Sequence, residues 1–190
     1  VYKRQVTIIG GASIIIFILC LILMISMPFN SKKVVLMGDS ITQSWSSYSP
    51  EFFEKNSYLI NKGISGETTP EMLARFDNDV TAQNPDAVII LAGINDIAQN
   101  TGYRSVPDIF KNIIEMASLA KVAEITPVIC SVLPANVLPW REKVSPANLV
   151  IELNLMLKDF CIENNIIYVD YFSEMVGIEN ELRKELTYDG

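Results

Sequence analysis

Five short apolar runs, at positions 34–37, 58–60, 87–92, 128–133 and 166–169, constrain this chain more than any other feature. They are nearly continuous rather than alternating. A strand that is apolar on both sides needs cover on both faces, which is the condition of a parallel sheet between helical layers. Helical patterns with recognisable starts lie between the runs. Thr69, Pro70 and Glu71 supply a cap, a first-turn proline and a first-turn acid ahead of Met72, Leu73, Phe76 and Val80 on one face. Asn84-Pro85 stops that helix. Pro107 opens a second helix that turns Ile109, Phe110, Ile113, Ile114 and Ala117 to the core, and Ser145-Pro146 opens a third with Leu149, Val150, Leu153 and Leu157. This β-α-β-α succession predicts an α/β fold: a doubly wound sheet with right-handed crossovers. No internal repeat or low-complexity tract interrupts it.

Positions 6–27 carry no charge, are dense in Ile and Leu, and follow Lys3 and Arg4. About 20 apolar residues cross a bilayer, so this run is long enough to do so. A buried core helix is the bland alternative. We read the run as an uncleaved anchor rather than a cleaved signal peptide, because it exceeds a usual signal core and no small-x-small site precedes Asn30, Ser31, Lys32 and Lys33. Cys20 follows Leu19, which is too bulky for lipoprotein processing. Basic residues flank both ends and leave the orientation open. The organisation expected is therefore a signal-anchor segment, 1–30, and one domain, 31–190, exported and held at the membrane, or secreted if the segment is cleaved.

The net charge is −7, and setting 1–30 aside removes two basic residues and no acidic one. An acidic domain without a Lys/Arg cluster argues against a nucleic-acid partner, whose phosphates need basic neutralisation. Cys130 falls in a strand-like run and Cys161 on an apolar helical face, the setting of small core residues. No residue is histidine, so these 190 residues lack the commonest general base and the commonest zinc ligand.

In doubly wound sheets ligands sit beyond the carboxyl ends of the strands. Three polar, glycine-bearing turns fall there: Gly38-Asp39-Ser40, the stretch from Asn61 through Gly66 to Thr69, and Gly93-Ile94-Asn95-Asp96. A serine at a strand tip can expose its hydroxyl and offer its own N–H to the same pocket. Glycine on the next turn lets a second N–H approach without a Cβ, and an Asn amide adds a third donor. Three donors around a developing oxyanion are a strong aid to acyl transfer. On this geometry Ser40 attacks while the N–H groups of Ser40 and Gly66 and the side chain of Asn95 hold the oxyanion. Each residue also has a plainer reading, as a turn serine, a positive-φ glycine or a turn amide. Asp39 and Asp96 are expected to bind nearby turn N–H groups, and Glu67 to sit as a charge near a helix start.

These three blocks, in order across 34–190, resemble the SGNH hydrolases, the GDSL-type esterase and lipase superfamily, with Ile41 where the older name has Leu. The resemblance implies a flavodoxin-like three-layer α/β/α sandwich around a mainly parallel five-stranded sheet, with neither metal nor organic cofactor. It also implies a fourth block, Asp-x-x-His, in which Asp189 orients a histidine three residues further on. The sequence given stops at Gly190. We read it as truncated before that histidine, and so expect the 190-residue chain to be nearly inactive.

Selectivity is expected from loops on the same rim. Trp45 and Tyr48 follow the first turn, Tyr103 and Arg104 the third, and Trp140 and Arg141 lie in the loop 134–144. Trp45, Tyr103, Trp140 and Arg141 are the candidates for substrate contact, against ordinary loop packing. By family analogy the substrate expected is a small acyl ester, such as O-acetyl on a carbohydrate. A lysophospholipid or another short lipid ester is the alternative, as is a non-catalytic module that holds an acylated glycan. A nucleotide binder is disfavoured, since no turn matches a phosphate loop or a dinucleotide fingerprint.

Overall fold

The computed structural model describes residues 33–187. Five strands, β1 (Val34–Gly38), β2 (Leu59–Gly63), β3 (Ala87–Leu91), β4 (Thr126–Cys130) and β5 (Ile167–Val169), form one sheet in the order β2-β1-β3-β4-β5. Every pairing is parallel. This is the flavodoxin-like order, which reverses direction between β1 and β3 and opens a crevice there.

The strand period of two divides the core. Val35, Met37, Val88, Ile90 and Ile129 point to one face, where they meet Met72 of α3 (Thr69–Ala74) and Phe76 of α4 (Phe76–Asp79). Ile109, Ile113 and Met116 of α6 (Val106–Val122) and Leu153 and Leu157 of α7 (Ala147–Glu163) complete that layer. Val34, Leu36, Ile89, Val128 and Cys130 point to the other face. Trp45 of α1 (Ser40–Tyr48), Phe52 and Phe53 of α2 (Pro50–Lys55) and Tyr171 of α8 (Tyr171–Met175) pack there. Both layers are apolar because both faces of the sheet are, as the continuous runs require. Cys130 and Cys161 are both buried core thiols, and burial pushes that of Cys161 up to about 11.

The elements differ from expectation where tertiary contacts compete for the backbone. The fourth strand ends at Cys130 rather than at 133, because buried Asn154 of α7 takes both backbone groups of Val132: its Oδ1 accepts the N–H at 2.8 Å and its Nδ2 donates to the C=O at 2.9 Å. The second strand runs on to Gly63 and includes Asn61 and Lys62, which the sequence suggested were turn. Gly63 is needed for close approach: a Cβ there would lie 2.2 Å from the Gln43 nitrogen of α1, a backbone atom that cannot swing away.

The single helix expected over 69–83 is broken into α3, α4 and a 3-10 turn (Thr81–Gln83). It is capped by Thr68, not Thr69. Glu71 accepts the Thr68 hydroxyl at 2.7 Å and the Thr68 N–H at 2.8 Å, which draw the Glu71 carboxyl below its ordinary range, and the N–H bond closes the capping box. Thr69 cannot serve, because Asp96 accepts both its N–H and its hydroxyl at 2.8 Å. No helix among the described residues is long and apolar enough to cross a membrane. The anchor expected at 6–27 lies outside them, as does Asp189.

Candidate active site

Parallel register fixes the rim. Gly38 at the end of β1 pairs with Gly63 of β2 and Leu91 of β3, so the three turns that follow emerge side by side. Ser40 is the first residue of α1, and Asp39 is its N-cap: the Asp39 carboxylate accepts the Ile41 N–H at 2.9 Å. A helix-first residue has no intrahelical acceptor for its N–H. Ser40 therefore presents a hydroxyl and an N–H that meet no partner among the described residues.

Gly66 has φ +81, with nothing within 4 Å of where a Cβ would stand. Conformation, not space, calls for glycine here. Its N–H is also without an acceptor among the described residues. The neighbouring Ser65 N–H is held by Gln43 Oε1 at 2.8 Å, which ties this turn to α1.

Asn95, in the short helix α5 (Ile94–Ile97), is buried, and its Nδ2 donates to the Glu67 carbonyl at 3.0 Å. The same nitrogen reaches Asp39 Oδ2 at 3.4 Å. One amide therefore touches the first and second turns from the third, which ties the three turns that carry Ser40, Gly66 and Asn95 to one rim. Beside Asn95, buried Asp96 accepts from Thr69 and, at 3.1 Å, from Arg104 Nε. Burial raises the Asp96 carboxyl against those three bonds. Asp96 and Arg104 thus hold the start of α3 to the rim. Arg75 bridges Glu67 at 2.7 Å, Asp79 at 2.7 Å and the Gly38 carbonyl at 3.3 Å, and nothing in the sequence marked it. Glu67 is this arginine's partner, and Glu71 is the acid at the helix start.

An apolar cavity of about 400 Å³ opens beside Ser40. Trp45, Leu91, Leu133, Trp140 and Leu186 are among its lining residues. Two of the four substrate-contact candidates, Trp45 and Trp140, are thus at the site. Trp45 stands on α1 rather than in a loop, stacked on Phe52 with ring centroids 5.8 Å apart. The other two are not at the cavity. Tyr103 is 79% exposed, and Arg141 Nε donates to the Ala98 carbonyl at 3.1 Å, which pins its loop to the end of α5. Thr187 lines the cavity two residues before Asp189. Among the described residues no cluster of three or more His, Cys, Asp or Glu side chains could hold a metal ion.

Asp39 is the most perturbed acid here. Burial pushes its carboxyl up to about 6, opposed by the Ile41 N–H and its own N–H and reinforced by the Asp96 and Glu67 carboxylates. The native state therefore keeps a proton that the unfolded chain releases near pH 4. The resulting stabilisation is complete below that pH and is lost as pH rises through about 6, a change of about 3 kcal/mol. Asp39→Asn keeps an acceptor for Ile41 but cannot ionise. Its Tm relative to wild type is expected to rise by roughly 5–10 °C between pH 4 and pH 7.5, measured by thermal unfolding. Parallel curves for the two proteins would disprove the assignment.

A flavodoxin-like sheet with Ser, Gly and Asn on three adjacent turns defines the class: this is an SGNH-type α/β domain. The chain belongs to the GDSL-like lipase/acylhydrolase family, whose pattern it matches over residues 36–190. A solved GDSL-like lipase from Bacteroides thetaiotaomicron shares 41% identity, over 84% of this chain and 78% of that one, with a TM-score of 0.81. An arylesterase from Vibrio mimicus is 34% identical over 104 residues, 48% of this chain and 50% of that protein. An acetylxylan esterase from Geobacillus stearothermophilus is 54% identical over 39 residues, 20% of this chain. The matched stretches span half of the arylesterase and 18% of the acetylxylan esterase.

Proposed function

We propose that the protein is a carboxylic ester hydrolase acting through Ser40. The observation that carries this is the rim itself: a serine hydroxyl, its own N–H and the Gly66 N–H, all without acceptors among the described residues, beside the Asn95 amide. Ser40 Oγ bonds to the ester carbonyl carbon and passes its proton to the base. The carbonyl oxygen, now negative, is held by the two N–H groups and by the Asn95 hydrogen that otherwise makes only the long contact to Asp39. The C–O bond to the alcohol breaks as the base returns the proton to it, which leaves an acyl-serine that water hydrolyses the same way. Asp189 and a histidine three residues beyond it are the proposed orienting acid and base.

The substrate proposed is a small acyl ester, such as O-acetyl on a carbohydrate, a choice supported by the acetylxylan esterase relative. The uncharged run at 6–27 supports membrane anchoring with the domain exported. One observation favours a second reading: the cavity beside Ser40 is largely apolar and could take a longer acyl chain. A panel of p-nitrophenyl acetate, butyrate and octanoate with acetylated xylo-oligosaccharide, given to the full-length protein, separates the two. Fastest turnover of acetate, with acetate released from the oligosaccharide, is expected. An octanoate kcat/KM ten-fold above that of acetate would select the lipid-ester reading, and oligosaccharide binding without hydrolysis of any ester would make this a binding module.

A further inference from the structure

We propose that Asn100 is a positioning residue that fixes two of the three oxyanion donors, an assignment that rests on the esterase reading above. The short helix α5 ends with Gln99 at φ +58, a left-handed residue that turns the chain back. The Asn100 N–H then reaches the Asn95 carbonyl at 3.0 Å and the Gln99 N–H reaches the Asp96 carbonyl at 2.9 Å, the paired bonds of a Schellman ending. This turn returns the Asn100 side chain to the rim. Its Nδ2 donates to Asn95 Oδ1 at 3.0 Å and lies 3.2 Å from the Gly66 carbonyl.

The directions of these bonds are determined by backbone atoms that can only accept. The Glu67 carbonyl requires a donor from Asn95, so Asn95 turns Nδ2 toward it and Oδ1 away. The Gly66 carbonyl requires a donor from Asn100, so Asn100 turns Nδ2 toward both Gly66 and the Asn95 oxygen. One NH2 group thereby holds the Asn95 amide in the orientation that offers hydrogens to the rim. It also holds the Gly66 carbonyl within the positive-φ turn that exposes the Gly66 N–H. Asn100 lies too far along the chain to belong to the Gly-x-Asn-Asp turn, and no chemistry is expected of it directly.

Kinetics of the full-length protein on p-nitrophenyl acetate test this, with Tm as a folding control. Asn100→Ala is expected to lower kcat about ten-fold with KM within three-fold of wild type, since donors are loosened but not removed. Asn100→Asp is expected to lower kcat about a hundred-fold, because acceptors would then face both the Asn95 oxygen and the Gly66 carbonyl and turn the Asn95 amide over. Unchanged kcat in Asn100→Ala would overturn the proposal. So would equal losses in the two variants that track a fall in Tm, since those describe a merely structural residue. Ser40→Ala, run alongside, separates the two layers: retained activity in that variant removes Ser40 as the nucleophile and with it the reading on which this rests, whereas its loss combined with an unaffected Asn100→Ala removes only the role of Asn100.

Discussion

Ser40→Ala is expected to lower kcat of the full-length protein on p-nitrophenyl acetate by about 10⁴-fold or more, with the residue left behind by oxyanion stabilisation and binding alone. The size of the effect follows from chemistry no neighbour can replace. Removing Oγ eliminates the acyl-serine, and Thr42, a hydroxyl two residues further along α1, is buried. The fold should be untouched, because the Ser40 hydroxyl has no partner among the described residues to lose. Near-native Tm together with loss of turnover and of covalent fluorophosphonate labelling is the expected pattern. Labelling that persists in Ser40→Ala would place the nucleophile on another residue.

The second large effect concerns the base. The 190-residue polypeptide contains no histidine, so nothing in it can supply an imidazole to Ser40. Loss of such a base typically costs several orders of magnitude in turnover. This polypeptide is expected to hydrolyse p-nitrophenyl acetate at least about 10³-fold more slowly than a form carrying a histidine three residues after Asp189. Added imidazole is expected to restore at least ten-fold of the loss, after subtraction of the rate that imidazole gives with Ser40→Ala. Asp39 is not a substitute. It is near Ser40 in sequence, but its carboxylate is committed to the Ile41 N–H, and a rate that rose through its pKa near 6 in the histidine-free chain would argue otherwise. Imidazole acceleration of equal size with and without Ser40 would remove the serine mechanism.

Much of this was legible in the chain. The strand runs at 34–37 and 87–92 end within one residue of β1 and β3, because an apolar run flanked by a glycine turn satisfies burial and backbone geometry at once. The turns that carry Ser40, Gly66 and Asn95 were readable as well, because each follows an apolar run and contains glycine. The aromatic candidates divided. Trp45 and Trp140 reached the cavity, while Tyr103 stayed in solvent, since an aromatic in a loop says nothing of which way the loop folds.

What the sequence determined by itself is the set of local commitments: apolar runs that need cover on both faces, proline-opened helices, and glycine-bearing polar turns after the strands. What the tertiary structure alone decided is who satisfies whom. Asn154 ends β4 by taking Val132, Asp96 moves a helix cap from Thr69 to Thr68, Arg75 ties Glu67 to Gly38, and Asn100 aligns Asn95 with Gly66. Most of these partners are far apart in the chain, and even Asn100 meets Asn95 through a left-handed turn that sequence spacing does not announce. Burial and propensity act along the chain and can be read there, whereas a hydrogen bond depends on a few tenths of an ångström that exist only once the sheet has assembled.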